Sequence, residues 1–278
     1  MVGDMLANEG LVGVLGTTVI GSETPTPRQR ALLGALALGG SFGSDIDTLA
    51  DGVWGGRPPA SARSSLQNQM TRLRRHHGHD LVICVGTRYR LGRPTDVMRF
   101  EQELTATASS DPATRIGLLT TALGRWRGAP YADLDCHAAE IERARLLEMR
   151  MTAADQLATA RLEVGSFDEC IGDLRVEIEA DPYRDRAWEL LVIALARAGR
   201  RTEAVLTINE YGHRLHAEFG IDPSDRIAEL RAQLGRVIAA EPSARPTMAP
   251  TGRLTPPHTA MTRRCRRRHR RDSDTAQP

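Results

Sequence analysis

The chain has 278 residues, 41% hydrophobic, 4% aromatic and 26% charged, enough for about two domains around largely aliphatic cores. All 37 basic residues are Arg; without Lys, a GxxxxGK[ST] phosphate loop cannot be present, and no apolar run approaches the ~18 residues of a membrane span. The net charge of +2 hides an asymmetry: residues 62–93 carry seven Arg against one Asp, residues 97–241 carry 18 Arg against 25 acidic groups, and residues 242–278 carry nine Arg against two Asp.

A basic module therefore lies beside an acidic one, a pattern that fits a nucleic-acid footprint confined to the first. The N-terminus lacks a basic segment followed by an apolar stretch, so no signal peptide is read there. Cys84, Cys136, Cys170 and Cys265 form no CxxC pair, which argues for a reducing cytoplasm and against a disulfide framework or a cysteine zinc site. A cytoplasmic, nucleoid-associated protein is expected.

In chain order, Leu11–Ile20 is apolar, β-branched and punctuated by Gly, predicting one or two short strands. Pro27 can open a helix at its first position, running through Leu38 and ended by Gly39–Gly40. Ser44 or Asp45 would cap the next helix, IDTLADGVW. GGRPPA breaks it, and Ser61 would cap a third helix reaching His77.

On that third helix Ala62, Leu66, Met70 and Leu73 fall on one side, spaced i, i+4, i+8 and i+11. The opposite side carries Ser64, Asn68, Thr71 and Arg75, flanked by Gln67 and Arg72. Amides, hydroxyls and guanidinium forks without a carboxylate suit a helix lying in a DNA major groove, although an ordinary solvated face has the same periodicity. DLVICVGTRYRLG then reads as a hairpin turning at Gly86–Thr87. Short strands, three helices and a basic hairpin together predict a winged helix-turn-helix. Arg88 and Arg90 suit phosphate contacts from the wing, and Tyr89 between them is read foremost as a packing residue.

From Thr95–Asp96 onward the pattern is helical. Two helices precede a long one, Ala138–Val164, with Ile141, Ala144, Leu147, Met151, Ala154 and Leu157 along one side. An internal offset of 34 residues pairs Ala154 with Trp188, Leu157 with Leu191, Ala158 with Val192, Gly165 with Gly199, Cys170 with Ala204 and Leu174 with Ile208. That is the tetratricopeptide period, in which each helical hairpin buries its apolar face by stacking on its neighbours. A last helix would start at Asp222–Pro223. Beyond Glu241 the Pro-rich, Arg-rich stretch has no periodicity and predicts disorder.

The expected fold is mainly α. It comprises a winged helix-turn-helix (α+β) at 1–95, an all-α tetratricopeptide-like repeat domain at 96–241 and a disordered basic tail at 242–278. No catalytic constellation is found, and no cofactor or metal is expected. The HHGH cluster at 76–79 lacks a clear third ligand in sequence, and reads as a cationic helix end favoured by the helix dipole. Cys136–His137 are adjacent on a helix start and do not face each other.

The run of PRQRALLGALAL, LADGVWGGRPPASARSSLQNQMTRLRR, GTRYRLG, WRGAPYADL and EFGIDPSDRIAEL resembles the SARP-type regulators of antibiotic-pathway genes, over roughly residues 11–240. The resemblance implies a winged-helix DNA-binding domain joined to a bacterial transcriptional activator domain. It further implies binding to double-stranded promoter DNA at direct repeats, contact with RNA polymerase, and homodimerisation on DNA. Carried over to this chain, the base-reading helix face is Arg63, Ser64, Gln67, Asn68, Thr71, Arg72 and Arg75, and the wing is Gly86, Arg88, Tyr89 and Arg90. A repressor using the same module is an alternative. So is a helical-repeat scaffold or sensor that binds a peptide or small ligand.

Overall fold

The computed structural model describes residues 10–240; the tail expected to be disordered lies outside them. Strand β1 (Val12–Gly13) pairs antiparallel with β2 (Val19–Ile20). Pro27 opens α1 (Pro27–Leu38), as its fixed φ favours. A single 3-10 turn, Gly40–Phe42, leads to β3 (Ser44–Asp45). Asp45 is in extended conformation, and its carboxylate accepts the N–H groups of Asp47 (3.1 Å) and Thr48 (2.9 Å), capping α2 (Ile46–Trp54).

The third helix, α3 (Ala62–His77), starts as predicted, but Ser61 does not cap it. Its backbone, at φ −86° and ψ 6°, is outside the extended region that would aim the hydroxyl at the first-turn amides. Instead, Ser64 Oγ donates to Ser61 O (3.0 Å). Ala62, Leu66, Met70 and Leu73 are all buried, as the periodicity requires. The hairpin β4 (Val82–Val85) and β5 (Arg88–Leu91) completes a sheet of order β3–β5–β4, with Val85 opposite Arg88 and Tyr89 between Ser44 and Cys84. Gly86 at φ +61° occupies the left-handed first position that a two-residue II′ turn demands. These elements form the winged helix.

Among the described residues seven further helices follow: α4 (Asp96–Thr107), α5 (Pro112–Leu123), α6 (His137–Val164), α7 (Phe167–Ala180), α8 (Asp185–Arg197), α9 (Arg201–Phe219) and α10 (Asp225–Ala240). The 34-residue offset is real in three dimensions. Cys170 and Ala204 are both fully buried, Leu174 and Ile208 are both 3% exposed, and Leu157 and Leu191 are each buried. Gly165 and Gly199 end their helices at φ +82° and +78°, values that only Gly adopts without strain. The last helix begins at Asp225 rather than at Asp222–Pro223, with Ser224 O accepting the first-turn amides of Ile227 and Ala228 (both 3.0 Å).

The face of α6 is also corrected. Ile141 and Leu147 are exposed, and of the predicted stripe only Leu157 is buried. The buried residues Ala139, Leu146, Ala153 and Ala160 repeat every seven positions instead. Three of these four are Ala, while the larger apolar side chains of Ile141 and Leu147 are left exposed. Size-weighted periodicity alone selects the wrong stripe in a helix apolar on two sides.

Two hydrophobic clusters result. The first runs from Val12 to Leu157 and joins the winged helix to α4, α5 and the first part of α6. The second starts at Ala158 and reaches Leu234 of α10. The first is tied by Asp96, 1% exposed, whose carboxylate accepts the N–H of Val14 (2.8 Å) and Leu15 (3.0 Å) and Nη2 of Arg127 (3.0 Å). The 126–134 loop adds Arg127 N–H to Leu15 O (2.8 Å) and Tyr131 N–H to Val14 O (2.7 Å). Tyr131 holds φ +51°, unusual for a non-Gly residue, and is fixed there by burial and by Arg143 of α6 donating to its carbonyl. Among the described residues no helix is long and apolar enough to cross a membrane.

Candidate nucleic-acid interface

The interface is built from α3 outward. Its buried quartet seats the helix on α1 and α2, and the residues between them, Arg63, Ser64, Gln67, Asn68, Thr71, Arg72 and Arg75, are all exposed. Gln67, Asn68, Arg72 and Arg75 make no side-chain hydrogen bond or ion pair among the described residues. Their donors and acceptors are therefore open to a ligand. The hydroxyl of Thr71 donates to Gln67 O (2.8 Å), as that of Ser64 does to Ser61 O, which leaves each oxygen's lone pairs for an incoming donor.

Arg63 is different. It is paired with Asp47 of α2, Nε to Oδ1 at 3.0 Å, and both groups are about two-thirds exposed. The sequence shows no carboxylate on the α3 face, but the packing of α2 brings one beside it. An exposed pair of this kind is worth little, so Arg63 is positioned rather than locked.

The wing also sorts into distinct roles. Arg88 is exposed, with Nε donating to Gly43 O (3.2 Å); Arg90 is half-buried and donates to Leu91 O (3.2 Å). Neither carries a carboxylate partner among the described residues. Tyr89 lies on the central strand, half-buried against the first cluster, in accord with a packing role.

Two arginines that composition alone did not single out fix the helix to the wing. Arg74 Nε donates to Val82 O (2.8 Å). Arg93 is bound to Asp80 through Nε (2.8 Å) and to the His77 carbonyl through Nη2. Hydrogen bonding from Arg93 holds the Asp80 carboxyl below its usual range. The signal for these two was their position, one at the end of the helix and one just after the wing, rather than their type.

The fold further brings Glu23, from the loop after β2, against His76 and His77. Burial, reinforced by His76, pushes the His77 imidazole below the ordinary histidine value. Cys136 precedes α6 without a cap bond, and His137 faces Glu140 (3.4 Å), not the thiol. Asp133 accepts Thr18 N–H (2.7 Å) and Arg30 Nε (2.6 Å), a structural brace rather than an acid–base partner.

The bacterial transcriptional activator domain family matches residues 95–234, half of the chain. The chain belongs to the SARP-type family. A SARP-type relative, the regulatory protein AfsR of Streptomyces griseus, is 33% identical over 81% of this chain, which spans only 24% of the relative's length. The transcriptional regulatory protein EmbR of Mycobacterium tuberculosis is 29% identical over 87% of this chain and 67% of the relative. The transcriptional regulator RedD of Streptomyces coelicolor is 27% identical over 82% and 69%. The solved structure of Mycobacterium tuberculosis EmbR in complex with a low-affinity phosphopeptide superposes with a TM-score of 0.70 at 26% identity, covering 82% of this SARP-type chain and 65% of that one. This likeness spans the winged helix and the helical repeats together.

Proposed function

We propose that this protein is a sequence-specific DNA-binding transcriptional regulator, acting in the cytoplasm on the nucleoid as a pathway-specific activator. The observation that carries the reading is the outer face of α3, where two amides, two hydroxyls and the guanidinium groups of Arg72 and Arg75 stand exposed above a fully buried apolar stripe. Asn and Gln can read adenine bidentately, and Arg can read guanine, once a helix enters the major groove. Arg88 and Arg90 of the wing would hold the phosphate backbone and so fix the register. The relatives named as transcriptional regulators, EmbR and RedD, support the same reading.

The acidic helical repeats would supply the protein contacts, to RNA polymerase and to a second copy on adjacent direct repeats. The test is footprinting of the full chain on promoter fragments recovered by genome-wide mapping of bound DNA, repeated over a salt series. Protected direct repeats at near-helical-turn spacing, with affinity falling steeply as salt rises, are expected. Binding that ignores both sequence and salt would sink the reading in favour of a peptide-binding scaffold.

A further inference from the structure

The end of α3 carries a second constellation that DNA reading does not use. His76 Nε2 lies 3.5 Å and His77 Nδ1 lies 3.9 Å from the same oxygen of Glu23, Oε2. One donor atom from each of the three residues falls within 4.8 Å of the others. Side chains one position apart on a helix normally diverge by about 100°. Here the two rings meet edge to face, with centroids 4.6 Å apart, and converge on one carboxylate.

The separations are informative. They exceed the 2.7–3.2 Å of a sound N–H···O bond. They approach the roughly 3.4 Å between two ligand atoms that each sit about 2.0–2.1 Å from one tetrahedral zinc ion. Both backbones that present the ligands are fixed. Glu23 and Ile20 exchange N–H···O bonds at 3.0 Å in both directions. The His77 carbonyl accepts Arg93 Nη2, and Gly78 N–H closes the helix onto Arg74 O (3.0 Å). Such preorganisation lowers the ordering cost of binding an ion.

We propose that Glu23, His76 and His77 form a three-ligand site for a divalent borderline metal ion of the zinc type, with water in the fourth position. Two imidazoles and one carboxylate suit zinc, nickel or copper and are a poor set for magnesium or calcium, which favour all-oxygen shells. A bound ion would pin the loop after β2 to the C-terminal end of α3. The site is independent of whether α3 reads DNA, and its test needs no DNA.

Zinc is titrated into the full, tag-free chain in competition with a chromophoric chelator, alongside Glu23→Gln and His76→Ala. Both replaced side chains are mostly exposed, so the fold should survive; far-UV circular dichroism checks this. Wild type should take up one zinc ion more per chain than either variant. At that site the affinity should fall by about tenfold or more in both, since even outer-shell changes cost about 10–100-fold. The thermal midpoint should rise with zinc in the wild type and stay flat in the variants. Cysteines and other histidines are common to all three chains, so they cancel in the comparison. Wild-type zinc binding by either variant, or no binding by the wild type, overturns the proposal.

Discussion

At the scale of single residues, the proposed interface divides by what each side chain already touches. Asn68 and Arg75 are exposed and without hydrogen-bond partners among the described residues, so nothing in the fold depends on them. Asn68→Ala and Arg75→Ala should each weaken binding to the footprinted site by about 1–3 kcal/mol, the discrimination of a good bidentate contact, roughly 5- to 150-fold. Far-UV circular dichroism and the unfolding midpoint should not move. Gel-shift titration on matched and scrambled sites reads this out, and unchanged affinity for the matched site refutes the assignment. Arg63 should matter less for base choice, because Asp47 already engages it. That pairing was invisible in sequence. It depends on the angle at which α2 crosses α3, which no local pattern encodes.

At the scale of elements, the strongest signals came from residues with one physical role. Pro27, the Gly86–Thr87 turn and the buried α3 quartet were legible because each satisfies a steric or periodic constraint by itself. The cap of α2 belongs to this group. Asp45 accepts two backbone N–H groups and the Thr48 hydroxyl (3.0 Å), and these bonds, led by the Thr48 amide, hold its carboxyl below the usual aspartate value. A carboxylate with a depressed native pKa stabilises the fold above its unfolded value, near 3.8, and that contribution is lost as pH falls through the native one. Asp45→Ala should therefore lower the urea midpoint at pH 7, and the gap to wild type should narrow as pH drops below about 4. A gap independent of pH would mean that the carboxylate charge plays no part in the cap.

The misreadings have equally specific causes. Ser61 has the right residue type in the wrong backbone conformation. The buried face of α6 is hard to read because its heptad positions are mostly Ala, while the larger apolar side chains of Ile141 and Leu147 lie exposed. Glu23 lies 53 residues before His76 in sequence, and only the strand pair β1–β2 brings the loop back across the helix end. By contrast, the 34-residue repeat was legible because stacking imposes the same burial on equivalent positions.

At the scale of the whole molecule, Asp96 is the link between the N-terminal strands and the helical region. It is buried, accepts two backbone amides and faces Arg127. Asp96→Ala would leave two buried N–H groups unsatisfied and remove the carboxylate that Arg127 Nη2 engages. A loss of about 2–6 kcal/mol in urea unfolding is expected, about 1–3 kcal/mol for each buried N–H left without an acceptor. Asp96→Asn, which keeps one acceptor oxygen, should lose less. Equal losses in the two variants would show that charge, rather than hydrogen-bond acceptance, holds the junction.

The point where the two hydrophobic clusters part, between Leu157 and Ala158 within α6, bears on how such heads can be exchanged between relatives. A chimaera joined at residue 95 would strip Leu119, Ala122, Tyr131, Leu134 and Leu146 from the cluster that contains Leu32, Leu36 and Leu66. The transplanted head would then carry a raw apolar flank unless the recipient's helices happened to match it. A splice inside α6 near residue 157 instead keeps that cluster whole and passes the join through a single continuous helix. The transferable unit is therefore larger than the winged helix, and grafting the proposed DNA-reading head onto a relative would carry the first helices of the neighbouring region along with it.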